Sequence, residues 1–529
     1  MTEDMSGTSR ILSEYGNEIL LGLVLVSAVP VVLLRLFGGV MYPFFIIVFL
    51  WSVLFIGTLA LVLRLIDSSQ LTTLIRTESP RALPFLLLLT LIPRLIWIGD
   101  PTWISLDALW YVDFGKFMSW GDMPYADFYF PYPPMFGYFI YAISLVTLSP
   151  DAYRVLAIFC DVLIVGVLYF MSRSREKNAV LQVAPFLYAM LPFSIIESGM
   201  NGHFEPLANL FLVIALWMLL EKRITLSSAF LGLSAATKVY AGFTLPVLIL
   251  VIPGVKDKIK YIAVTFTTVY LTFIPFSIPV WLRGDILWPG TAMPGLETGF
   301  FDAMFGFIFD LSPIHLLTIS IVGVASIVLI VLFMMRSSGV VFTGSSVTYD
   351  ILGLCVGILF VIMSYLVIVY PFIPPMPGVF WRYPTDIAFA RGIATTLSSA
   401  FLLHTAWKRW RVNRKRALSN ETLALLAAVT MMLLLSLSKQ VFYGWYLLWA
   451  IPFLLLIKDR RLVFIIIVCM MLIYPSYTHD NFMSLGRVEE RTWSDEFNNV
   501  NTWRTFIEVG DTSLTTSMIS TGMRSVDGI

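Results

Sequence analysis

The chain has 529 residues, 58% of them hydrophobic and 13% charged, with a net charge of +1. A soluble domain carries charge on about a quarter of its residues, so most of this chain is solvated by lipid, in line with its mean hydropathy of +0.84. The near-neutral balance argues against a nucleic-acid partner, and Cys160, Cys355 and Cys469 all fall in apolar runs, which argues against a disulfide framework or a Cys-rich metal site.

Apolar runs of about 17–24 residues have the length of membrane helices. In chain order they predict spans near 17–37, 43–66, 83–99, 152–172, 178–197, 204–221 and 258–277. Further runs lie near 313–335, 347–370, 387–408, 418–437, 441–457 and 461–478. The first run is too long for a signal core and is preceded by Glu14 and Glu18, so no cleavable signal is expected. The segment 226–252 breaks around Lys238 and Pro246 and predicts two short helices, 226–237 and 239–252. The run 134–149 begins at Pro133-Pro134 and predicts a juxtamembrane helix that does not span. The fold class is all-α polytopic membrane protein, with about 13–15 transmembrane helices and juxtamembrane helices in one outward loop.

Lys and Arg in short loops mark the cytoplasmic side. Arg76/Arg81, Arg173/Arg175/Lys177, Lys222/Arg223, Lys256/Lys258/Lys260, Lys408 to Arg416 and Lys458/Arg460/Arg461 all fall on one side of the predicted spans. The N-terminus is then cytoplasmic, the C-terminus outside, and the loops 100–151, 198–204, 278–312, 371–386 and 438–441 face outward. Residues 1–82 read as an N-terminal two-helix addition, 83–478 as the main module and 479–529 as a polar extracytoplasmic tail.

The stretch Gly99 to Phe136 concentrates Asp100, Asp107, Asp113, Asp122 and Asp127 with Trp103, Trp110, Tyr111, Trp120, Tyr125, Tyr129 and Tyr132. Tyr and Trp favour the membrane–water boundary, and carboxylates held there can deprotonate a hydroxyl. Asp107 and Tyr111 share a face if this segment is helical. Asp107 is then either a general base or a helix N-cap or surface carboxylate. Arg94, inside a span, is read as paired with Asp107 or Asp127, against a snorkelling arginine. Asp127 either binds a sugar hydroxyl or holds the turn before Tyr132-Pro133-Pro134. Glu205 opens a span, where a carboxylate suits the helix N-terminus, or it is a second acid with His203 beside it. Lys238 suits a lipid phosphate or an inter-helix pair with a buried acid. With Arg382, Lys439 and Gln440 it forms a candidate phosphate clamp. A lone His and Glu make no metal site, and none is assigned.

These residues resemble the GT-C superfamily of lipid-phosphosugar-dependent glycosyltransferases, its archaeal and bacterial mannosyltransferase-like members above all. Arg94 followed by Asp107 and Tyr111 looks like the family's leading arginine and acidic motif. Gly121-Asp122-Met123-Pro124-Tyr125-Ala126-Asp127 up to Tyr132-Pro133-Pro134 looks like its "G-x-P-Y-x-D … Y-P-P" stretch. Gly232 to Pro246 looks like its broken helix pair, and Lys439 to Pro452, with Trp445-Tyr446-Leu447-Leu448-Trp449, like its late "Y-L-L-W-x-x-P" helix. The resemblance spans 83–478. It implies a GT-C-like bundle that transfers a hexose, mannose in particular, from a dolichyl or polyprenyl phosphate. Transfer would be inverting and metal-independent, with no cofactor beyond the lipid-phosphate sugar itself. Asp107 is then the expected catalytic residue, with Asp127 and Glu205 as second acids, since Ala108 stands where many members carry a paired acid. Arg94, Tyr111, Tyr125, His203, Lys238, Arg382, Lys439 and Gln440 are the expected substrate-binding set. The expected partners are membrane lipid, the lipid-linked donor and a glycan, protein or lipid acceptor, with no nucleic acid. A flippase for lipid-linked sugars and a non-catalytic assembly subunit are the competing classes. The absence of an evident inverted repeat argues against the first, and the Asp107/Arg94/Lys238 set against the second.

Overall fold

The computed structural model describes residues 28–36, 41–65, 79–100, 105–124, 132–173, 179–249, 254–282 and 444–457, with single residues 22, 75, 127, 128, 130, 252, 460, 463, 464, 467, 468, 470 and 471. Among these the structure is helical, and the only β feature is an isolated bridge between Pro124 and Phe128. The expected all-α polytopic membrane class is what is observed.

Among the described residues, three helices are long and apolar enough to cross a bilayer. They are α1 (Met41–Leu65), α5 (Asp151–Arg173) and α11 (Val255–Leu282). Between them run α2 (Ala82–Leu95), α3 (Leu106–Ser119) and α4 (Pro134–Ser144), then α6 (Ala179–Met190), α7 (Pro192–Ile195), α8 (Glu205–Leu220), α9 (Ile224–Thr237) and α10 (Leu245–Leu248). Near the end lie a 3-10 turn at Gly444–Ala450 and α12 (Ile451–Leu454). The predicted spans at 83–99, 152–172 and 204–221 and the predicted short helix at 226–237 correspond to α2, α5, α8 and α9. The run 134–149 gives an 11-residue helix, too short to span. The runs between 313 and 437 lie outside the described residues.

The span expected at 178–197 is bent. Proline has no N–H and pushes the residue before it out of the α region. Leu191, before Pro192, has φ −65° and ψ 114°, and the pair Val180–Met190 and Pro192–Met200 bends by 48°. The chain then widens into a π-helical turn, Ile196–Met200, closed by the Asn201 N–H on the Ile196 carbonyl at 2.9 Å. Such turns recur at functional sites.

The break at Lys238 is also present. Lys238 is extended, with φ −150° and ψ 125°, so α9 stops there and a 3-10 turn follows at Val239–Thr244. Helices α2 and α5 run antiparallel: the Gly99 N–H donates to Asp151 Oδ2 (3.0 Å), and the Tyr169 hydroxyl at the other end donates to the Ser79 carbonyl (3.1 Å). The acidic residues Asp107 and Glu205 therefore sit at helix starts on one end of the bundle. Arg173, Lys222, Arg223 and Lys256 fall at the opposite helix ends.

Candidate active site

Ser105 fixes the start of α3. Its Oγ accepts the Ala108 N–H (3.1 Å) and donates to the Asn201 carbonyl (2.7 Å). The first satisfies an orphan donor of the helix; the second staples α3 to the loop between the π-helical turn and α8. Asp107 is thereby set in the first turn of α3 and keeps 24% exposure.

The loop owes its shape to Gly202, at φ +73°, a conformation glycine adopts without a steric penalty. A Cβ there would lie 3.1 Å from Arg154 Cγ. Turned in this way, His203 donates its backbone N–H to the Glu197 carbonyl (2.9 Å). Its Nδ1 lies 2.6 Å from Glu197 Oε2, which also accepts from Asn201 Nδ2 (2.9 Å). A carboxylate at that distance places a proton on Nδ1, so Nε2 is the nitrogen that faces Asp107 Oδ2, 3.8 Å away. Burial pulls the imidazole pKa down, but the Glu197 carboxylate, then Asp107 and Glu205, outweigh it and raise His203 above its ordinary value.

Glu205, at the first position of α8, forms an ion pair with Lys238. The ammonium also sits 4.5 Å over the Phe204 ring and 5.7 Å from the Trp449 ring, placements that favour a cation. Behind it Tyr240 stacks on Trp449 at 4.0 Å and 7°. The Tyr240 hydroxyl donates to Asn209 Oδ1 (2.6 Å), and Asn209 Nδ2 donates to the Leu448 carbonyl (3.1 Å). The second Glu205 oxygen, Oε2, is buried with no hydrogen-bond partner among the described residues.

Tyr111 closes the cluster from below. Its ring packs edge-on against Phe136 (4.9 Å), Tyr153 (5.3 Å), Tyr132 (5.5 Å) and Phe204 (5.6 Å). Burial, then Tyr132, Asp107 and Glu205, hold its phenol well above the usual range, so it stays neutral.

The structure thus brings together Asp107, Tyr111, His203, Glu205 and Lys238 from the expected set. The partner expected for Arg94 is corrected: it is neither Asp107 nor Asp127. Arg94 Nε is 2.7 Å from Asp161 Oδ2 on α5 and 3.1 Å from Ser198 Oγ. Nη1 donates to the Thr90 and Ala189 carbonyls and Nη2 to Ser194 Oγ. With every nitrogen occupied and the side chain fully buried, Arg94 ties α2 to α5 and to the bent helix. Of the two roles open to Asp127 the geometry favours the turn, since its Oδ2 accepts the Met123 N–H at 2.7 Å. Lys238 takes the inter-helix pairing that its position allowed. Tyr125, Arg382, Lys439 and Gln440 lie outside the described residues.

Sequence reasoning missed Glu197, Asn201, Asp161 and Arg154. Asp161 had a signal, because a lone acid within a span implies a partner. Glu197 had the same signal at the end of its run. Arg154 had a weaker one: it opens a span, where snorkelling is the ordinary reading. Instead it donates to the Met200, Trp97 and Asp100 carbonyls and to Asp151.

The model of glycosyltransferase family 87, a GT-C-type membrane family, matches residues 130–367. The protein is a membrane glycosyltransferase. The matched segment contains Glu197, His203, Glu205 and Lys238, and Asp107 precedes it. No curated protein and no solved structure matches this transferase.

Proposed function

We propose that the transferase moves a hexose, mannose on the family resemblance, from a dolichyl or polyprenyl phosphate to an acceptor hydroxyl, inverting the anomeric carbon. The observation that carries this reading is the juxtaposition of a half-buried carboxylate, Asp107, with the Lys238–Glu205 pair at one end of the bundle. Asp107 takes the proton of the acceptor hydroxyl. The new bond from that oxygen to the anomeric carbon forms as the bond from carbon to phosphate oxygen breaks on the opposite face. The lipid phosphate leaves with the electron pair, and Lys238, 17% exposed, supplies positive charge toward it. The buried Glu205 Oε2 is suited to accept a sugar hydroxyl. A donor attached to a lipid chain suits a site at the membrane surface. The basic opposite helix ends favour the cytoplasm for that side, which supports an outer-face site in the cell membrane. The acceptor is a glycan, protein or lipid hydroxyl.

The test is incubation of purified enzyme and membrane extract with radiolabelled dolichyl-phosphate mannose, dolichyl-phosphate glucose or a nucleotide sugar. Label should move from a lipid phosphate into product with inverted configuration. Transfer from the nucleotide sugar alone, or with retained configuration, would overturn the donor or the mechanism respectively.

A further inference from the structure

Glu197 is fully buried in the π-helical turn, and transfer as described above uses it nowhere. A buried carboxylate is unfavourable unless a cation and donors compensate it. Asn201 and the His203 ring supply the contacts. We propose that Glu197 is a positioning residue: it keeps His203 as an imidazolium aimed at Asp107, so that the base stays oriented while a negatively charged donor binds. The proposal rests on Asp107 being the base.

Among the described residues, the charges facing His203 favour its charged form. The π-helical turn offers Glu197, α3 offers Asp107 and the neutral phenol of Tyr111, and α8 offers Glu205. Lys238, at the end of α9, is committed to Glu205. Arg154 on α5 lies under Gly202, but its bonds go to three carbonyls and Asp151. With a neutral ring, Asp107 and Glu197 would face each other with no cation between them among the described residues. With an imidazolium the order alternates: carboxylate, cation, carboxylate. The contacts agree, since Nδ1 is fixed by Glu197 at 2.6 Å and leaves Nε2 pointing to Asp107 at 3.8 Å. That gap exceeds a hydrogen bond, yet the attraction between charges persists across it in a site of low dielectric. The raised His203 pKa has the same direction. Among the described residues the cation beside Asp107 is thus His203, and not Arg94.

The experiment uses full-length enzyme in detergent, labelled with 15N-histidine. The chain has four histidines, and the His203 signals are identified by their loss in His203→Gln. In the wild type His203 should carry protons on both nitrogens at neutral pH. In Glu197→Gln its titration midpoint should fall by about one unit or more, the scale set by loss of an adjacent charge. The alkaline limb of the kcat profile should move down by the same amount, with donor KM unchanged, which a merely structural role would not produce. A His203 that is neutral at neutral pH in the wild type overturns the proposal, and this arm does not depend on the variant folding. So does a Glu197→Gln enzyme whose midpoint and limb stay in place. The NMR arm needs no substrate. Its failure is therefore distinct from failure of the base assignment, which shows instead as an Asp107→Asn enzyme of full rate.

Discussion

Arg94 and Asp161 form an ion pair at 2.7 Å in which neither side chain has measurable exposure. It locks α2 to α5. Through Ser194 and Ser198 the same guanidinium grips the bent helix whose last turn carries Glu197. Asp161 is held from its other side by the Tyr188 hydroxyl at 2.6 Å. The site at the end of the bundle stands on this buried polar layer.

Removing one partner should be far worse than removing both. Arg94→Met leaves a carboxylate uncompensated in the bundle, a loss of about 3–5 kcal/mol. Arg94→Met combined with Asp161→Leu should regain much of that, because an apolar pair of similar volume carries no desolvation penalty. Thermal unfolding of detergent-solubilised protein reads both. A single variant as stable as wild type would contradict the assigned anchor role.

Gly199 is where the π-helical turn meets α2 backbone to backbone. A Cβ at this position would lie 2.9 Å from Arg94 Cα and 3.1 Å from its carbonyl oxygen. Backbone cannot swing aside as a side chain can. Gly199→Ala should therefore destabilise by about 1–3 kcal/mol and lower transfer by displacing Glu197. A full-rate Gly199→Ala enzyme of unchanged melting temperature would show that the turn tolerates displacement.

Much of the bundle was legible in the sequence because lipid imposes one simple rule. Every spanning backbone must satisfy its own hydrogen bonds, so helices follow directly from apolar run length. That rule located α5, α8 and α9, and the ionisable Lys238 marked the break after α9. It could not locate the bend at Pro192, which sits inside the run expected at 178–197, or the π-helical turn Ile196–Met200, which straddles the end of that run. The candidate site was half legible. Asp107, His203, Glu205 and Lys238 stood out as polar residues at predicted span ends. The pairings did not, because Arg94 meets Asp161 across 67 positions of sequence. No local pattern encodes that contact. The interface loop offered nearer acids, and proximity in sequence pointed to the wrong ones.

Lys238 holds Glu205 and faces two aromatic rings. Lys238→Gln should raise the donor KM by about tenfold or more, the worth of a charged contact, with a smaller change in kcat. Loss of the ion pair also strands Glu205, so the double variant Lys238→Gln/Glu205→Gln is the companion. It should recover stability without recovering donor affinity. If donor KM is unchanged in both, the ammonium does not meet the phosphate.

Asp107→Asn is the sharpest test of the site. Asparagine preserves the shape of the side chain at the first turn of α3 and the staple from Ser105 to Asn201 is untouched, so the fold should survive. What disappears is the charge and the basic lone pair that take the acceptor proton. Loss of a positioned general base lowers the rate by about 10²–10⁴-fold. Donor affinity should hold, because the base meets the acceptor hydroxyl and not the phosphate. The paired control is Asp122→Asn, an acid of the same loop placed beyond the C-terminus of α3, away from His203; its rate should stay close to wild type. The two variants share the loss of one carboxylate from one loop. A rate difference between them therefore isolates position from charge. Equal rates in the two, with Asp107→Asn at wild-type level, would move the base to Glu205 or Asp127.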